Sequence, residues 1–346
     1  MNPRWRLSAN APLQSRNTFG IAASAPWLVE VGDGEALQEV LALPELRDTT
    51  PLLIGGGSNL LFAGDPQTTV VCLDTQRIAM LEDNAQSAKV RVDAGVAWHA
   101  LVMWSLQQGF MGLENLALIP GTVGASPIQN IGAYGTEVSE FIQVVEAFDR
   151  TQGARVRLDR AACAFAYRDS VFKRDIDRYV VTAVEFELPR QRALKLDYAG
   201  IPEELAAMHV HAPTFRDVGE AVIRIRQRKL PDPAVVGNAG SFFKNPIVPA
   251  ALAEGLQQEH AGLPVFRGDA TDNRKISAAW MIEACGWKGF REGDAGVAAS
   301  HSLVLVNHGV ATGAQLLSLA RRIANSVQAR FGVRIEPEPR IIGAEW

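Results

Sequence analysis

At 346 residues, 47% apolar and 21% charged, the chain exceeds what one hydrophobic core usually supports, so two or three domains are expected. Its net charge of −4, with Lys and Arg scattered, excludes the electrostatic footprint of a nucleic-acid binder. Three widely spaced cysteines (Cys72, Cys163, Cys285) without a Cys-x-x-Cys point to a reducing compartment and away from structural zinc or an iron–sulfur cluster.

The first ten residues lack the apolar core of a signal peptide, so a cytoplasmic protein is expected. Residues 27–31 then read as a strand, and Asp33 as the cap of a helix with Leu37, Val40 and Leu41 on one face, stopped by Pro44. A buried-type strand over 51–54 runs into Gly55-Gly-Gly-Ser-Asn-Leu-Leu61, and further strands are predicted at 69–73 and 89–93. Trp98, Leu101, Val102, Ser105 and Leu106 form a helical stripe that ends at Gly109.

Residues 115–136 follow, twenty-two without a charge. Such a length could suggest a membrane span, but Gly121, Gly124, Gly132, Gly135, Pro120 and Pro127 break it repeatedly. Strands are predicted at 143–149, 154–158 and 179–188. In the last, Val184, Phe186 and Leu188 alternate with Glu185 and Glu187, so one face is expected to be wet. Val218, Ala221, Val222 and Ile225 give a helix stripe whose end turns basic at Arg224, Arg226, Arg228 and Lys229 before Pro231 breaks it. A helix over 276–285, a strand over 303–307 and a capping box at Thr312-Gly-Ala-Gln315, opening a helix that ends near Gly332, complete the pattern. It is α+β with mixed sheets, not a doubly wound parallel sheet.

Chemistry concentrates in five segments. Residues 55–61 and 115–136 offer closely approachable backbone N–H groups, with side-chain amides at Asn59, Asn115, Gln129 and Asn130. Oriented N–H dipoles of this kind hold phosphate oxygens without a counter-charge. Leu60 stands where a Rossmann fingerprint has its third Gly or Ala, and no Lys follows the glycines as in a Walker loop. Two such cradles suit a large diphosphate ligand such as FAD, bound non-covalently because neither loop contains His or Cys. The plainer alternative for each is a simple Gly-rich connection.

Ser241, in Gly237-Asn-Ala-Gly-Ser-Phe-Phe-Lys-Asn-Pro246, lacks the nucleophile-elbow pattern, yet a hydroxyl fixed in a tight turn can donate a proton. Otherwise it is a turn serine bonding its own backbone. Arg168 is suited to a carboxylate or phosphate, against the alternative of an ion pair with Asp169 or another surface ion pair. Glu336, Glu338 and Arg340 alternate with Pro337 and Pro339 and so share a face of an extended segment. His209 and His211 have same-strand spacing, but no third ligand is evident and no metal is expected. His301 reads as a core histidine.

Residues 17–19, 54–61, 119–135, 167–173, 237–246, 275–289 and 335–343 together, in this order, closely resemble the UDP-N-acetylenolpyruvoylglucosamine reductase (UDP-N-acetylmuramate dehydrogenase) family, over essentially the whole chain. The resemblance implies an FAD-binding domain of the vanillyl-alcohol-oxidase (PCMH) type in two subdomains, plus a smaller C-terminal α+β substrate-binding domain. The corresponding division is 1–67 joined by the tail 331–346, then 68–228, then 229–330. It implies that NADPH reduces bound FAD and that UDP-N-acetylglucosamine enolpyruvate is then reduced to UDP-N-acetylmuramate, a step of peptidoglycan precursor synthesis. Arg168 and Glu338 would polarise the enolpyruvyl carboxylate, and Ser241 would protonate the adjacent carbon. Cofactor contacts are expected from Gly55, Gly56, Gly57, Ser58, Asn59 and Leu60 in the first cradle. In the second they are expected from Gly121, Thr122, Gly124, Ala125, Ser126, Gln129, Asn130, Gly132 and Ala133. Substrate contacts are expected from Tyr134, Tyr198, Lys229, Lys244 and Asn245. A monomer with no nucleic-acid or membrane partner is expected. The alternatives are a flavin oxidase on the same cradle and a non-catalytic nucleotide-sugar module.

Overall fold

The period-2 segment 179–188 sits at the centre of what the chain builds first. In the structure, a computed structural model describing residues 4–346 apart from 48, 199 and 269, it is the strand Tyr179–Pro189. Residues 1–3 of the segment read for a leader lie outside this range. Antiparallel pairing gives a five-stranded sheet in the order Ala154–Asp159, Ile142–Asp149, Tyr179–Pro189, Ser87–Asp93, Ile78–Asp83. One face is apolar: Val90, Val92, Val184 and Phe186 are fully buried with Leu101 and Val102 of the helix Trp98–Gln107 and Val218, Ala221, Val222 and Ile225 of the helix Phe215–Lys229. The other face, expected to be wet, carries an ordered ion-pair lattice. Glu146 accepts from Arg91 at 2.8 Å and Arg157 at 2.6 Å, and Arg157 also reaches Glu185 at 2.8 Å. Opposite charges on neighbouring strands line up because same-face residues recur every second position.

By chain contacts the protein divides into two units, residues 1–11, 25–56 and 68–227, and residues 12–24, 57–67 and 228–346. The first contains the five-stranded sheet and a four-stranded one, in which Val70–Leu73 lies parallel to both Ser24–Val31 and Leu52–Ile54. Asp33 caps as expected, its Oδ1 accepting from the Glu35 amide at 2.9 Å. Pro44 both stops the helix Leu37–Leu41 and opens a short one, Pro44–Arg47, since a residue without N–H is tolerated at the first helical position. The strands Trp5–Pro12 and Ile78–Asp83 were not legible as strands. His209 has φ +57° just past the helix Ile201–Ala207, so the two histidines are not strand neighbours.

The second unit contains a sheet in the order Gly237–Ser241, Val304–Asn307, Ala295–Val297, Arg291–Glu292, and a three-stranded sheet around Asn273–Ile276. The capping box holds: the Gln315 amide donates to Thr312 Oγ1 at 3.2 Å and the Thr312 amide to Gln315 Oε1 at 2.8 Å. The helix Gly313–Phe331 ends at Gly332, whose φ of +67° is the left-handed C-cap that glycine adopts without strain. The helix expected over 276–285 is Ala278–Ala284, because Ser277 caps it and Ile276 completes a strand. The helix Ala250–Glu259 was not foreseen. Residues 12–24 and 57–67, placed with the N-terminal subdomain in the expected three-part division, group by contacts with 228–346. No helix among the described residues is long and apolar enough to cross a membrane.

Candidate active site

The two glycine-rich segments meet in the first unit. The strand Leu52–Ile54 delivers Gly55 and Gly56, both exposed, against residues 121–122. A Cβ on Gly56 would stand 3.1 Å from the Gly121 Cα, and one on Gly55 would stand 2.5 Å from Thr122 Oγ1. Only glycine lets two backbones approach this closely. Residues 121–124 are themselves fastened: Gly121 C=O accepts from the Trp98 amide at 2.9 Å, and the Val123 and Gly124 amides donate to Val96 and Ala94 at 2.8 and 2.9 Å. Gly124 cannot carry a side chain either, since its Cβ would lie 2.5 Å from that of Ala94.

Further along the same stretch the side chains divide. Ser126 is buried and its hydroxyl donates to Val123 C=O at 2.7 Å. Asn130 is buried with φ +44°, donates to Glu137 and to Ala166 C=O, and accepts from the Ser139 amide. These two side chains serve the fold. Ala125 and Gln129 are half-buried, and Gly132–Ala133 pairs with Thr136–Glu137 around a tight turn. Tyr134 and Gly135 both have positive φ, 48° and 78°, the signature of a two-residue type I′ hairpin.

Arg168 lies against this hairpin. Residues 166 and 169 bond each other across a tight turn in which Arg168 has φ +54°, and Lys173 Nζ donates to its carbonyl at 2.7 Å. Its guanidinium donates to the carbonyls of Gly132 and Asn130, which fixes its plane, and a Cβ on Gly132 would stand 2.9 Å from Nη1. Asp169, the partner sequence offered for Arg168, pairs with Arg174.

Tyr134 and Tyr198 meet edge to face at 5.2 Å, with Tyr198 half exposed. Sequence reading named the basic run around Arg226 without singling that residue out. Arg226 Nε donates to Leu118 C=O at 3.2 Å, and its charge faces both Tyr134 and His99. Burial raises the Tyr134 phenol despite the guanidinium, and burial with Arg226 lowers His99, keeping it neutral. The signal was available, because Arg226 stands four residues beyond Val222 and eight beyond Val218, on the edge of the inward stripe.

The second unit contains residues 57–67. Gly57, with φ +60°, has no room for a Cβ, which would lie 2.0 Å from Arg16 C=O; its own carbonyl accepts from the Thr18 amide at 3.2 Å. Ser58, Asn59 and Leu60 are half-buried, and Leu60–Phe62 pairs in parallel with Arg340–Ile342. Ser241 ends the strand Gly237–Ser241, preceded by Gly240 at φ +69°.

The next residues run antiparallel to the tail: Phe243 bridges Pro337, the Glu338 amide donates to Phe242 C=O at 2.7 Å, and the Lys244 amide donates to Glu336 C=O at 3.0 Å. Ser241 and Glu338, 97 positions apart, thus lie on adjacent, hydrogen-bonded segments. Lys244 Nζ is 3.6 Å from Glu336. Asn245 Oδ1 accepts from the Ala278 amide at 3.0 Å, so that oxygen caps a helix. Lys229 is exposed and its carbonyl accepts from Ser300 Oγ. Burial first, then Lys229 and Lys288, push His301 down and keep it neutral.

A cavity of about 370 Å³ on the ion-pair face of the five-stranded sheet, lined among others by Thr75, Arg91, Glu146 and Arg157, contains none of these residues. No cluster of metal-ligating side chains occurs among the described residues.

Comparison with known proteins identifies the family. Residues 25–159 match the family model "FAD binding domain", and residues 232–342 match "UDP-N-acetylenolpyruvoylglucosamine reductase, C-terminal domain". The UDP-N-acetylenolpyruvoylglucosamine reductase of Xanthomonas euvesicatoria is 59% identical over 99% of this chain and 98% of its own length. That of Xylella fastidiosa is 58% identical over the same shares. The crystal structure of the Thermus caldophilus reductase superposes with a TM-score of 0.67 at 26% identity, covering 98% of this chain and 99% of that one.

Proposed function

Since the chain belongs to the UDP-N-acetylenolpyruvoylglucosamine reductase family, FAD-dependent oxidoreductases of peptidoglycan precursor synthesis, we propose a specific assignment of its residues to that reaction. FAD fits residues 55–56 and 121–124: a side chain at Gly55, Gly56 or Gly124 would collide with neighbouring atoms, and the oriented backbone N–H groups of a glycine-rich stretch hold phosphate oxygens. FAD, when bound, supplies hydride chemistry. The electron source is NADPH, the substrate is the enolpyruvyl ether of a UDP-sugar, and the enzyme works as a cytoplasmic monomer. Residues 1–67 with 331–346 and residues 68–228 form the two flavin subdomains, and 229–330 the substrate domain.

Hydride arrival at the terminal carbon of the enolpyruvyl group leaves negative charge on the adjacent carbon and its carboxylate. Arg168, its plane set by the Gly132 and Asn130 carbonyls, grips that carboxylate, and the Glu338 carboxyl donates a hydrogen bond to it as charge accumulates. Ser241 Oγ then gives its proton to the carbon next to the carboxylate, completing the C–H bond. Tyr134, Tyr198, Lys229, Lys244 and Asn245 orient the UDP moiety.

The observation that carries this assignment is the 2.7 Å bond from the Glu338 amide to Phe242 C=O, which puts the acid beside the serine segment. Stopped-flow half-reactions test it. In Ser241→Ala, flavin reduction by NADPH should persist within about twofold while reoxidation by substrate slows by roughly 10² or more, with the same split for Glu338→Gln. A Ser241→Ala variant that reoxidises at the native rate removes the serine from the proton step. Rapid reoxidation of the reduced native protein by oxygen would instead favour an oxidase.

A further inference from the structure

We propose that Glu140 is a positioning residue for substrate recognition: its carboxylate latches the segment that carries Tyr198 onto the hairpin that carries Tyr134, so that the two rings meet in one orientation. This rests on the reading of those tyrosines given above. Residues 190–198 connect the strand Tyr179–Pro189 to the helix Ile201–Ala207 and form no helix or strand of their own. The order of such a segment has to come from its side chains and from what they reach.

Two of these side chains converge on one carboxylate. Arg192 Nη2 donates to Glu140 Oε2, and Lys195 Nζ donates to Oε1 and Oε2 at 2.8 and 3.0 Å. Lys195 Nζ also donates to Gly135 C=O at 2.9 Å, on the turn of the hairpin itself. Glu140 is in turn built into the hairpin's exit, because its Oε1 accepts from the Glu137 amide at 3.0 Å. An isolated surface pair contributes little, but here three charges share a network and their side chains are only 25–35% exposed. Burial opposes the charge on Glu140, yet the bonds from Arg192 and Lys195 outweigh it and hold the carboxyl below its usual range, so the latch is ionised at neutral pH. The Arg192 guanidinium also lies over the Phe141 ring, 4.9 Å from its centre.

A second tie joins the same two pieces of chain through their backbones. Buried Asn115 donates from Nδ2 to Tyr134 C=O at 3.0 Å and to Lys195 C=O at 3.1 Å. Tyr198, three residues beyond Lys195, then comes edge to face with Tyr134 at 5.2 Å. A ligand that needs both rings in place binds with an apparent affinity reduced in proportion to the fraction of molecules that have them there.

Glu140→Gln tests this, because glutamine keeps an acceptor for the Glu137 amide and removes the charge that the two cations share. Lys195→Met removes one of those cations and leaves the Glu137 bond alone. Limited trypsin digestion of flavin-loaded protein reads the latch itself. Cleavage after Arg192 and Lys195 should be several-fold faster in Glu140→Gln than in native, since a cation held by a carboxylate is withheld from the protease. Steady-state kinetics per bound flavin, at saturating NADPH, reads the consequence. KM for the UDP-sugar substrate should rise about tenfold in Glu140→Gln and in Lys195→Met, as when the ordered fraction falls to about a tenth. In a Tyr198→Ala background, Glu140→Gln should add about twofold at most. Native cleavage rates at both sites overturn the proposal. So does an undiminished effect of Glu140→Gln in the Tyr198→Ala background, which would make the carboxylate a support for the fold and not for Tyr198. If Glu140→Gln does not fold, Lys195→Met carries the kinetics and the double-variant comparison, with cleavage after Arg192 as the digestion readout. Should Tyr198→Ala keep the native KM, the substrate reading of Tyr198 fails, whereas faster cleavage in Glu140→Gln would still establish the latch.

Discussion

Asp149, almost fully buried at the end of the strand Ile142–Asp149, accepts from Arg178 at 2.8 and 3.1 Å, from both the hydroxyl and amide of Thr151, and from the Gln152 amide. The Arg178 hydrogen bonds, foremost among these, hold its carboxyl far below the usual carboxylate range. A carboxyl whose folded pKa is depressed lends stability that is complete above its unfolded pKa, about 3.9, and is lost as pH falls toward the folded value. Asp149→Asn should therefore lower unfolding free energy by about 2 kcal/mol at pH 7, and the gap from native should narrow progressively below pH 4, as measured by urea denaturation. A gap independent of pH would show that packing, not charge, is what the carboxylate supplies. The local half of this motif is visible in sequence, since Asp149-Arg-Thr-Gln-Gly153 has the composition of a turn. Its partner Arg178 is 29 residues away, and only the sheet register selects it. Arg168 poses the same problem. Its neighbour Asp169 is the partner sequence offers, yet Asp169 joins Arg174 and the Arg168 guanidinium reaches the Gly132 carbonyl, 36 positions away.

The glycine cradle and the capped helices test two kinds of legibility at the level of elements. Gly56 has ordinary negative-φ geometry, so an added methyl meets no intrinsic backbone penalty, only the Gly121 backbone 3.1 Å away. Gly55 faces the Thr122 hydroxyl, which can rotate aside; backbone cannot. Gly56→Ala is thus expected to weaken FAD binding about tenfold (about 1.4 kcal/mol) with little change in the stability of the flavin-free protein, measured by flavin fluorescence titration. Equal weakening by Gly55→Ala would point to general loop disruption. The helix Gly313–Phe331 is the opposite case, specified almost wholly by local code. Thr312→Ala removes half of the capping box and should cost about 1 kcal/mol of stability in urea unfolding without altering flavin content. Local code failed where context decides. Ile78–Asp83 is an edge strand with four exposed positions, so it lacks the apolar alternation that marks a strand. The helix Ala250–Glu259 follows a short strand with no capping side chain, and nothing announces its start.

Over the whole molecule, a cofactor that binds the folded chain and not the unfolded one must raise the melting temperature by mass action. At free FAD about 100-fold above its dissociation constant the gain is about 2.7 kcal/mol, so thermal unfolding of stripped protein should shift upward by several degrees on adding FAD. Purified protein should also show a flavin absorbance band, and a chain with neither property is not a flavoprotein.

The α+β class, the breaks in the uncharged stretch and the family were all present in the amino-acid order, because periodicity, Gly and Pro placement and capping patterns act over a few residues. Two things were not. Nothing local makes Gly56 meet Gly121, and nothing local sets Glu338 beside the serine segment. Those pairings join residues 65 and 97 positions apart, and backbone register over such separations is settled by the packing of whole sheets.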